Sequence, residues 1–180
     1  GTEIIYTQES IGIVGSTGSN PQKFIQTMNE SNPTTTIIIP QMLDVMVSMA
    51  ESHFDYPKSL RFVAVGGAPI SQNILIRAEE IGIPVYEGYG LSEATSVATV
   101  NGPDATKMGT VGKALAHVDL KIASDGEVLI KGSICKGYLG DDKYCLDCDG
   151  YLPTGDIGFI DEEGFLTLKG RKKNIFITSF

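Results

Sequence analysis

The sequence predicts an α/β protein in which a parallel-sheet α/β subdomain is followed by a small antiparallel, β-barrel-like subdomain. Strand-like and helix-like segments alternate over roughly the first hundred residues, a rhythm that is typical of a parallel sheet covered by helices. After about residue 103, glycines become frequent and no long helical period remains. Short β-branched and apolar segments separated by turn residues then predict antiparallel strands.

Three helices are predicted in the first part. The first covers residues 21–31, with Asn20 as its cap and a proline in its first turn. The second covers 40–52 and is apolar nearly all round, which indicates a buried helix. The third covers 71–81 and ends at Gly82. The strands predicted around these helices cover residues 3–7, 35–39, 60–65 and 84–86.

The second part contains strands only. Two turn signals, at 124–126 and 161–164, separate paired strands. The sequence therefore predicts an α/β subdomain over 1–104, a β-barrel-like subdomain over 105–170 and a hinge region over 171–180. The predicted strands cover residues 118–123, 127–131, 157–160 and 165–169.

Composition excludes some classes of protein. The chain has 180 residues, 42% hydrophobic and 20% charged, with a net charge of −8, so nucleic acid is not expected as the main partner. The sequence shows no signal peptide and no apolar run long enough to span a membrane, which predicts a cytoplasmic protein. Three cysteines, without a second ligand pair beside Cys145 and Cys148, predict thiols rather than a zinc site.

Two glycine-containing loops follow predicted strands. Residues 65–69 include two glycines, which allow a flat ligand to approach the backbone, although an ordinary turn between strand and helix has the same pattern. Residues 86–93 present an aromatic ring, a hydroxyl and a carboxylate, which suit a base, a phosphate and Mg²⁺. The alternative for this second loop is a helix cap at Ser92.

Two further polar segments lie near the end of the chain. Asp156 follows Thr154-Gly155 between a loop and a predicted strand, where it suits a ribose or simply a turn. Residues 170–173 form a basic cluster, which is also consistent with a solvated surface. The glycine loop at 15–23 lacks the Gly-Lys-Ser/Thr order of a phosphate loop and is interpreted as a plain connection.

Taken in this order and spacing, these segments resemble the core motifs of the adenylate-forming superfamily. That superfamily includes acyl-CoA synthetases, luciferases and the adenylation domains of peptide synthetases. The wording of residues 170–180 is most similar to bacterial long-chain acyl-CoA synthetases. The matching segments are residues 66–71, 89–93, 126–138, 149–156 and 170–173.

The resemblance implies an ATP-dependent acid–thiol ligase that uses ATP, Mg²⁺ and CoA. A fatty acid reacts with ATP to give an acyl-adenylate, from which CoA displaces AMP. Ser92 and Glu93 are the implied catalytic residues: Ser92 binds the α-phosphate and Glu93 ligates Mg²⁺. The implied nucleotide-binding residues are Gly66, Gly67, Ala68, Pro69, Glu87, Gly88, Tyr89, Gly90, Asp156 and Arg171.

Within that set, Tyr89 is expected to stack on adenine and Asp156 to bind the ribose hydroxyls with support from Arg171. Lys173 falls at the hinge position of the superfamily. Three positions depart from its pattern, one of them Pro153, which stands where many members have histidine. A serine replaces the usual threonine at 92, which retains the hydroxyl, and Glu87 stands where an amide or aspartate is common. Residues implied to border the acyl pocket are Gly66, Gly88 and Ala94.

The resemblance also implies that the chain is part of a large N-terminal domain and is inactive alone. The superfamily's phosphate loop would precede residue 1, and its C-terminal domain with the adenylation lysine would follow residue 180. Alternatives left open are an acyl-AMP ligase, a carrier-protein-loading enzyme and a non-catalytic nucleotide-binding scaffold. A peripheral membrane contact of the parent protein also stays open. Met42, Met46 and Met49 share one helix face and are interpreted as core rather than as an acyl tunnel.

Overall fold

The computed structural model describes residues 13–14, 18–139 and 146–174. The chain divides into two compact units, residues 1–85 and 86–180. The subdomain limits expected at residues 104 and 170 stay a prediction. The predicted strand at 3–7 and the thiol of Cys145 lie outside the described residues.

The first unit combines three helices with parallel strands, so the predicted α/β class is confirmed. Strands β3 and β4 run parallel in continuous register, and the two short strands β1 and β2 pair antiparallel. Within the described residues, no helix has the length and apolar character needed to cross a membrane. The elements are β1 (Ile13–Val14), β2 (Gly18–Ser19), α1 (Pro21–Ser31), β3 (Thr35–Ile38), α2 (Pro40–Glu51), β4 (Phe62–Val65) and α3 (Gln72–Glu80).

Local sequence signals fix the ends of these helices. The Asn20 side chain accepts a hydrogen bond from the Lys23 amide at 3.1 Å, which satisfies one of the free amides of α1. Asn32 ends α1 in the left-handed conformation, with φ 46°. Gly82, with φ +78°, follows the end of α3 as predicted. Ser71 occupies the capping position of α3, but its side chain makes no capping hydrogen bond.

The core of the first unit is formed by the methionine face of α2 packed against α1, β4 and α3. Met42 and Met46 are buried, and Met49 is half-buried against the same cluster. This placement supports core packing for the methionine stripe. The core also includes Phe24, Ile25, Leu43, Val47, Val63, Val65, Leu75 and Ala78.

Truncating a buried methionine and a half-buried methionine of this core should lower the stability of the protein to different extents. We expect Met46→Ala to lower the free energy of unfolding by about 2–5 kcal/mol, because it leaves a cavity at a fully buried site. Met49→Ala is the matched control and should cost clearly less. Urea unfolding followed by circular dichroism measures both, and equal losses would contradict the assignment of Met46 to the core.

The second unit is built from antiparallel strands, which confirms the change of architecture predicted from the sequence. One ladder joins β5, β6 and β7, and a four-stranded sheet has the order β11-β10-β9-β8. Short 3-10 turns cover Ser92–Ala94 and Lys172–Asn174. The strands are β5 (Val85–Tyr89), β6 (Thr99–Val100), β7 (Lys113–Ala114), β8 (Asp119–Ile122), β9 (Glu127–Lys131), β10 (Leu152–Ile160) and β11 (Leu166–Arg171).

The Thr154-Gly155-Asp156 segment lies inside a strand, which corrects its predicted place between a loop and a strand. Strand β10 begins at Leu152, five residues earlier than the sequence predicted. Its pairing with β9 shifts between Pro153 and Ile157, and Gly155 lies in this irregular stretch with φ 74°. A bulge of this kind breaks the alternating pattern by which strands are recognised. Strands β6 and β7 were not predicted from the sequence, because a strand of two residues is too short to show an alternating pattern of apolar and polar residues.

Candidate functional site

In the second unit, two predicted site residues, Tyr89 and Arg171, contact the carboxylate of a third, Asp156. The Tyr89 hydroxyl donates a hydrogen bond to Asp156 Oδ2 at 2.7 Å. Arg171 Nε lies 2.9 Å from Asp156 Oδ1. Asp156 is buried, whereas 62% of the Arg171 side chain is exposed. The structure thus joins Tyr89, 67 positions before Asp156, with Asp156 and Arg171 in one hydrogen-bonded group.

The strand register explains how Asp156 and Arg171 meet. They are direct cross-strand partners in β10 and β11, and side chains at such positions lie on the same face. Thr154 links this part of β10 to β9. Its hydroxyl donates to the Val128 carbonyl at 2.8 Å and accepts from the Asp156 amide at 3.1 Å. Arg171 Nη1 also donates to the Thr154 carbonyl at 3.2 Å. Asp156 is therefore held through both its backbone and its carboxylate.

The Tyr89 hydroxyl is a donor throughout the neutral pH range. Burial, together with the hydrogen bond to Asp156, raises the pKa of Tyr89 above its usual value. An ionised carboxylate offers about four acceptor positions, so Asp156 can bind Tyr89 and Arg171 and still accept from a diol. Vicinal hydroxyls, which donate hydrogen bonds, would suit the remaining acceptor positions.

The loop after β5 is tightly folded and strained. The Ser96 amide donates to the Leu91 carbonyl at 3.1 Å, which closes the loop around the turn that contains Ser92. Thr95 and Ser96 have φ values of 52° and 81°, a conformation that costs energy for residues other than glycine. Strain of this kind concentrates at functional sites. Ser92 is exposed at the start of the turn.

Glu93 is the acidic residue of the 3-10 turn that follows β5. Its side chain is half-buried, and its carbonyl accepts a hydrogen bond from the Cys135 amide at 2.8 Å. The next residue but one, Thr95, donates from its hydroxyl to the Ser133 carbonyl at 3.2 Å. Among the described residues, no three acidic, histidine or cysteine side chains form a metal cluster. Mg²⁺ commonly takes one or two carboxylates together with phosphate oxygens and water, and one carboxylate suffices for that arrangement.

Asn101 supports β5 and was not predicted from the sequence. It is buried, and its amide and side-chain nitrogens donate to the Glu87 carbonyl at 2.9 and 3.2 Å. Its side chain also donates to the Thr110 carbonyl at 2.7 Å. The only sequence signal was an asparagine placed directly after a β-branched pair, Thr99-Val100. Asn101 therefore fixes the backbone next to Tyr89.

Burial raises the pKa of Glu87 to about 7. The folded protein therefore retains this proton in a pH range where the unfolded chain loses it. Stability falls as pH rises from the ordinary glutamate value of 4.5 to the folded value. Above that window the ionised carboxylate is a constant cost to the folded state.

Glu87→Gln should remove this pH dependence. Above the pKa of Glu87 we expect the variant to be more stable than the wild type by about 1–2 kcal/mol, since solvent screens part of the cost at a half-buried side chain. Below the ordinary glutamate pKa the two proteins should have equal stability. Urea midpoints across pH measure the difference, and parallel curves would contradict the assignment.

The other predicted residues have the following places. Gly66, Gly67, Ala68 and Pro69 belong to the first unit and directly follow β4. The Gly66 amide donates to the Ile38 carbonyl at 3.4 Å, and Gly67 has φ +82°. The last three residues of this loop are exposed, so their backbone is accessible. Gly88 lies within β5, Ala94 is buried, and Lys173 is exposed in the final 3-10 turn.

The first unit is an α/β fold with a glycine loop directly after a parallel strand, the place at which folds of this class commonly bind ligands. The chain belongs to the AMP-binding enzyme family, whose sequence model matches residues 10–139. Asp156 and Arg171 lie beyond that match.

Curated relatives are ligases that form CoA thioesters. The chain is 35% identical over 162 residues to a 2-succinylbenzoate–CoA ligase of Listeria innocua, covering 87% of this chain and 34% of the relative. It is 39% identical over 122 residues to a long-chain-fatty-acid–CoA ligase of Mycobacterium bovis, covering 66% and 20%. The chain thus spans about a third or less of the length of these relatives.

The fold is also similar to a solved structure. O-succinylbenzoate coenzyme A synthetase of Bacillus subtilis, in complex with ATP and magnesium, matches with a TM-score of 0.77 and 27% identity. The match covers 88% of this chain and 36% of the synthetase. The chain therefore corresponds to part of that fold.

Proposed function

We propose that this chain forms the adenosine- and magnesium-binding part of an ATP-dependent acyl-CoA ligase. The observation that supports this most directly is the cluster in which Tyr89 and Arg171 both bind the Asp156 carboxylate. It offers an aromatic ring and a diol acceptor side by side. The relatives' names and the ATP and magnesium of the Bacillus subtilis complex agree with that ligand.

In the proposed reaction, a carboxylate oxygen of the acid attacks the α-phosphorus of ATP and pyrophosphate leaves. The CoA thiol then attacks the acyl carbonyl, loses its proton and releases AMP. Asp156 accepts hydrogen bonds from the ribose hydroxyls, and Tyr89 offers its ring to adenine. Ser92 donates to the α-phosphate and Glu93 ligates Mg²⁺, which offsets negative charge on the triphosphate. The chain's contribution is chiefly to position the nucleotide.

We propose a fatty acid as the carboxylic acid substrate. Support comes from the 39% identity to the Mycobacterium bovis long-chain-fatty-acid ligase, together with the motif wording at 170–180. The similarity to the Listeria innocua 2-succinylbenzoate ligase extends over a longer stretch. An aromatic acid of that kind is therefore the second candidate and belongs in the same assay.

The test measures pyrophosphate release by the full-length protein with each acid, with and without CoA. We expect release that depends on a long-chain acid, and formation of the acyl-CoA when CoA is added. Glu93→Ala should remove most of the activity. Glu163→Ala, which alters an exposed carboxylate paired with Lys107, is the matched control. A folded protein that binds AMP but releases no pyrophosphate with any acid would contradict the ligase and favour a non-catalytic scaffold.

A further inference from the structure

Glu127 is a buried carboxylate at the start of β9, and the resemblance assigns it no role. Its side chain is 11% exposed. Oε1 accepts a hydrogen bond from the Gly155 amide at 2.8 Å, and Oε2 lies 2.7 Å from Lys172 Nζ. Both of its oxygens are therefore engaged.

The two partners of Glu127 are each adjacent in sequence to a member of the Asp156 cluster. Gly155 directly precedes Asp156 in β10, and Lys172 directly follows Arg171 at the end of β11. Asp156 and Arg171 are cross-strand partners. One carboxylate thus restrains both strands at the pair that carries the proposed ribose acceptor.

The need for this restraint arises from the backbone of β10. The strand leaves its register with β9 between Pro153 and Ile157, so the ladder does not hold the Gly155 amide there. Gly155 has φ 74°, and glycine can readily leave this conformation unless a contact holds it. Without an acceptor this partly buried amide would be unsatisfied, which is costly. Glu127 supplies the acceptor from the neighbouring strand.

Lys172 also completes the arrangement electrostatically. Its Nζ lies 2.5 Å from Asp125 Oδ2 as well as bonding Glu127. Hydrogen bonds to Asp125 and then to Glu127 raise the pKa of Lys172 above its usual value, so the lysine stays charged. A buried carboxylate with a charged partner and an amide donor is satisfied rather than strained.

We propose that Glu127 is a positioning residue of the nucleotide site, which holds Asp156 in place for the ribose hydroxyls through Gly155 and Lys172. The role rests on the proposed function of Asp156. Because Glu127 acts through the carboxylate that meets the ribose, its loss should affect binding of the hydroxyls and not binding of the base or phosphate.

The experiment compares AMP with 2′,3′-dideoxy-AMP by calorimetry on the full-length protein. We expect Glu127→Ala to weaken AMP binding about tenfold and to leave dideoxy-AMP binding nearly unchanged. Glu127→Gln keeps an acceptor for Gly155, so it should recover most of the AMP affinity. Asp149→Ala alters an exposed carboxylate that pairs with Lys121 and contacts neither Glu127 nor Lys172, so it should bind like the wild type.

Equal loss for both nucleotides, or no loss for AMP, would overturn the proposal. If Glu127→Ala does not fold, Glu127→Asp takes its place, because its shorter side chain withdraws the acceptor from the Gly155 amide: a reduced preference for AMP then supports the role, and full preference overturns it. NMR gives a readout that does not need nucleotide: Glu127→Ala should shift the Gly155 amide and the Asp156 carboxylate resonances, whereas Asp149→Ala should not. A wild type that does not distinguish the two nucleotides refutes the proposed ribose role, while unchanged resonances in Glu127→Ala refute the positioning role.

Discussion

Gly90→Ala is expected to disrupt the loop that carries Ser92 and Glu93. A Cβ atom at this position would lie 1.6 Å from the Ser96 carbonyl oxygen and 2.8 Å from Val97 Cα. Both neighbours are backbone atoms, so no side chain can move aside. We expect the free energy of unfolding to fall by more than about 3 kcal/mol, because overpacking against backbone forces the chain to shift.

A second glycine in the same unit offers the matched control. A Cβ atom on Gly102 would meet no heavy atom within 4 Å. Gly102→Ala should therefore change stability by no more than about 0.5 kcal/mol. Urea unfolding followed by circular dichroism compares the two variants. Equal stability of Gly90→Ala and Gly102→Ala would show that the loop does not approach Gly90 as closely as the structure has it.

Asp156→Ala is expected to have the largest effect on nucleotide binding. The substitution removes the acceptor for the ribose hydroxyls and also leaves Tyr89 and Arg171 without their shared partner. Hydrogen bonds to a charged group are worth about 1.5–3 kcal/mol each. We therefore expect AMP affinity to fall about 100-fold, or about 2.7 kcal/mol.

The control for Asp156 is an aspartate that pairs with a lysine on the surface. Asp149 has 60% of its side chain exposed and lies 2.9 Å from Lys121. Asp149→Ala should leave AMP affinity unchanged, since exposed ion pairs contribute little. Calorimetry with AMP measures both variants. An Asp156→Ala protein that is folded and binds AMP as tightly as the wild type would exclude this carboxylate as the ribose acceptor.

The sequence predicted the helices closely because their signals are local. α1 has the predicted limits of Pro21–Ser31, with a capping asparagine on one side and a left-handed Asn32 on the other. Strand β9 also has its predicted limits, Glu127–Lys131. In both segments a periodic pattern ends at residues whose chemistry stops it.

The arrangement of the site could be predicted only in part. Motif wording singled out Tyr89, Asp156 and Arg171, but their convergence depends on strand register, which no local pattern encodes. The first half of β10 was not predicted, because the register shift between Pro153 and Ile157 interrupts the alternating pattern of the strand. Asn101 was missed because its partners are the backbone carbonyls of Glu87 and Thr110. The contribution of Glu127, which lies in a matching motif, was missed because its partners Gly155 and Lys172 are 28 and 45 positions away in the sequence.

The most direct test of the central claim is an NMR titration of the full-length protein with AMP. We expect saturable shifts of the Tyr89, Asp156 and Arg171 resonances with AMP. A ribose-free adenine phosphate mimic should still shift Tyr89, which meets the base, and should no longer shift Asp156 and Arg171. Absence of shifts at these three residues with AMP in excess, in a folded chain, would contradict the assignment of an adenosine site to this cluster.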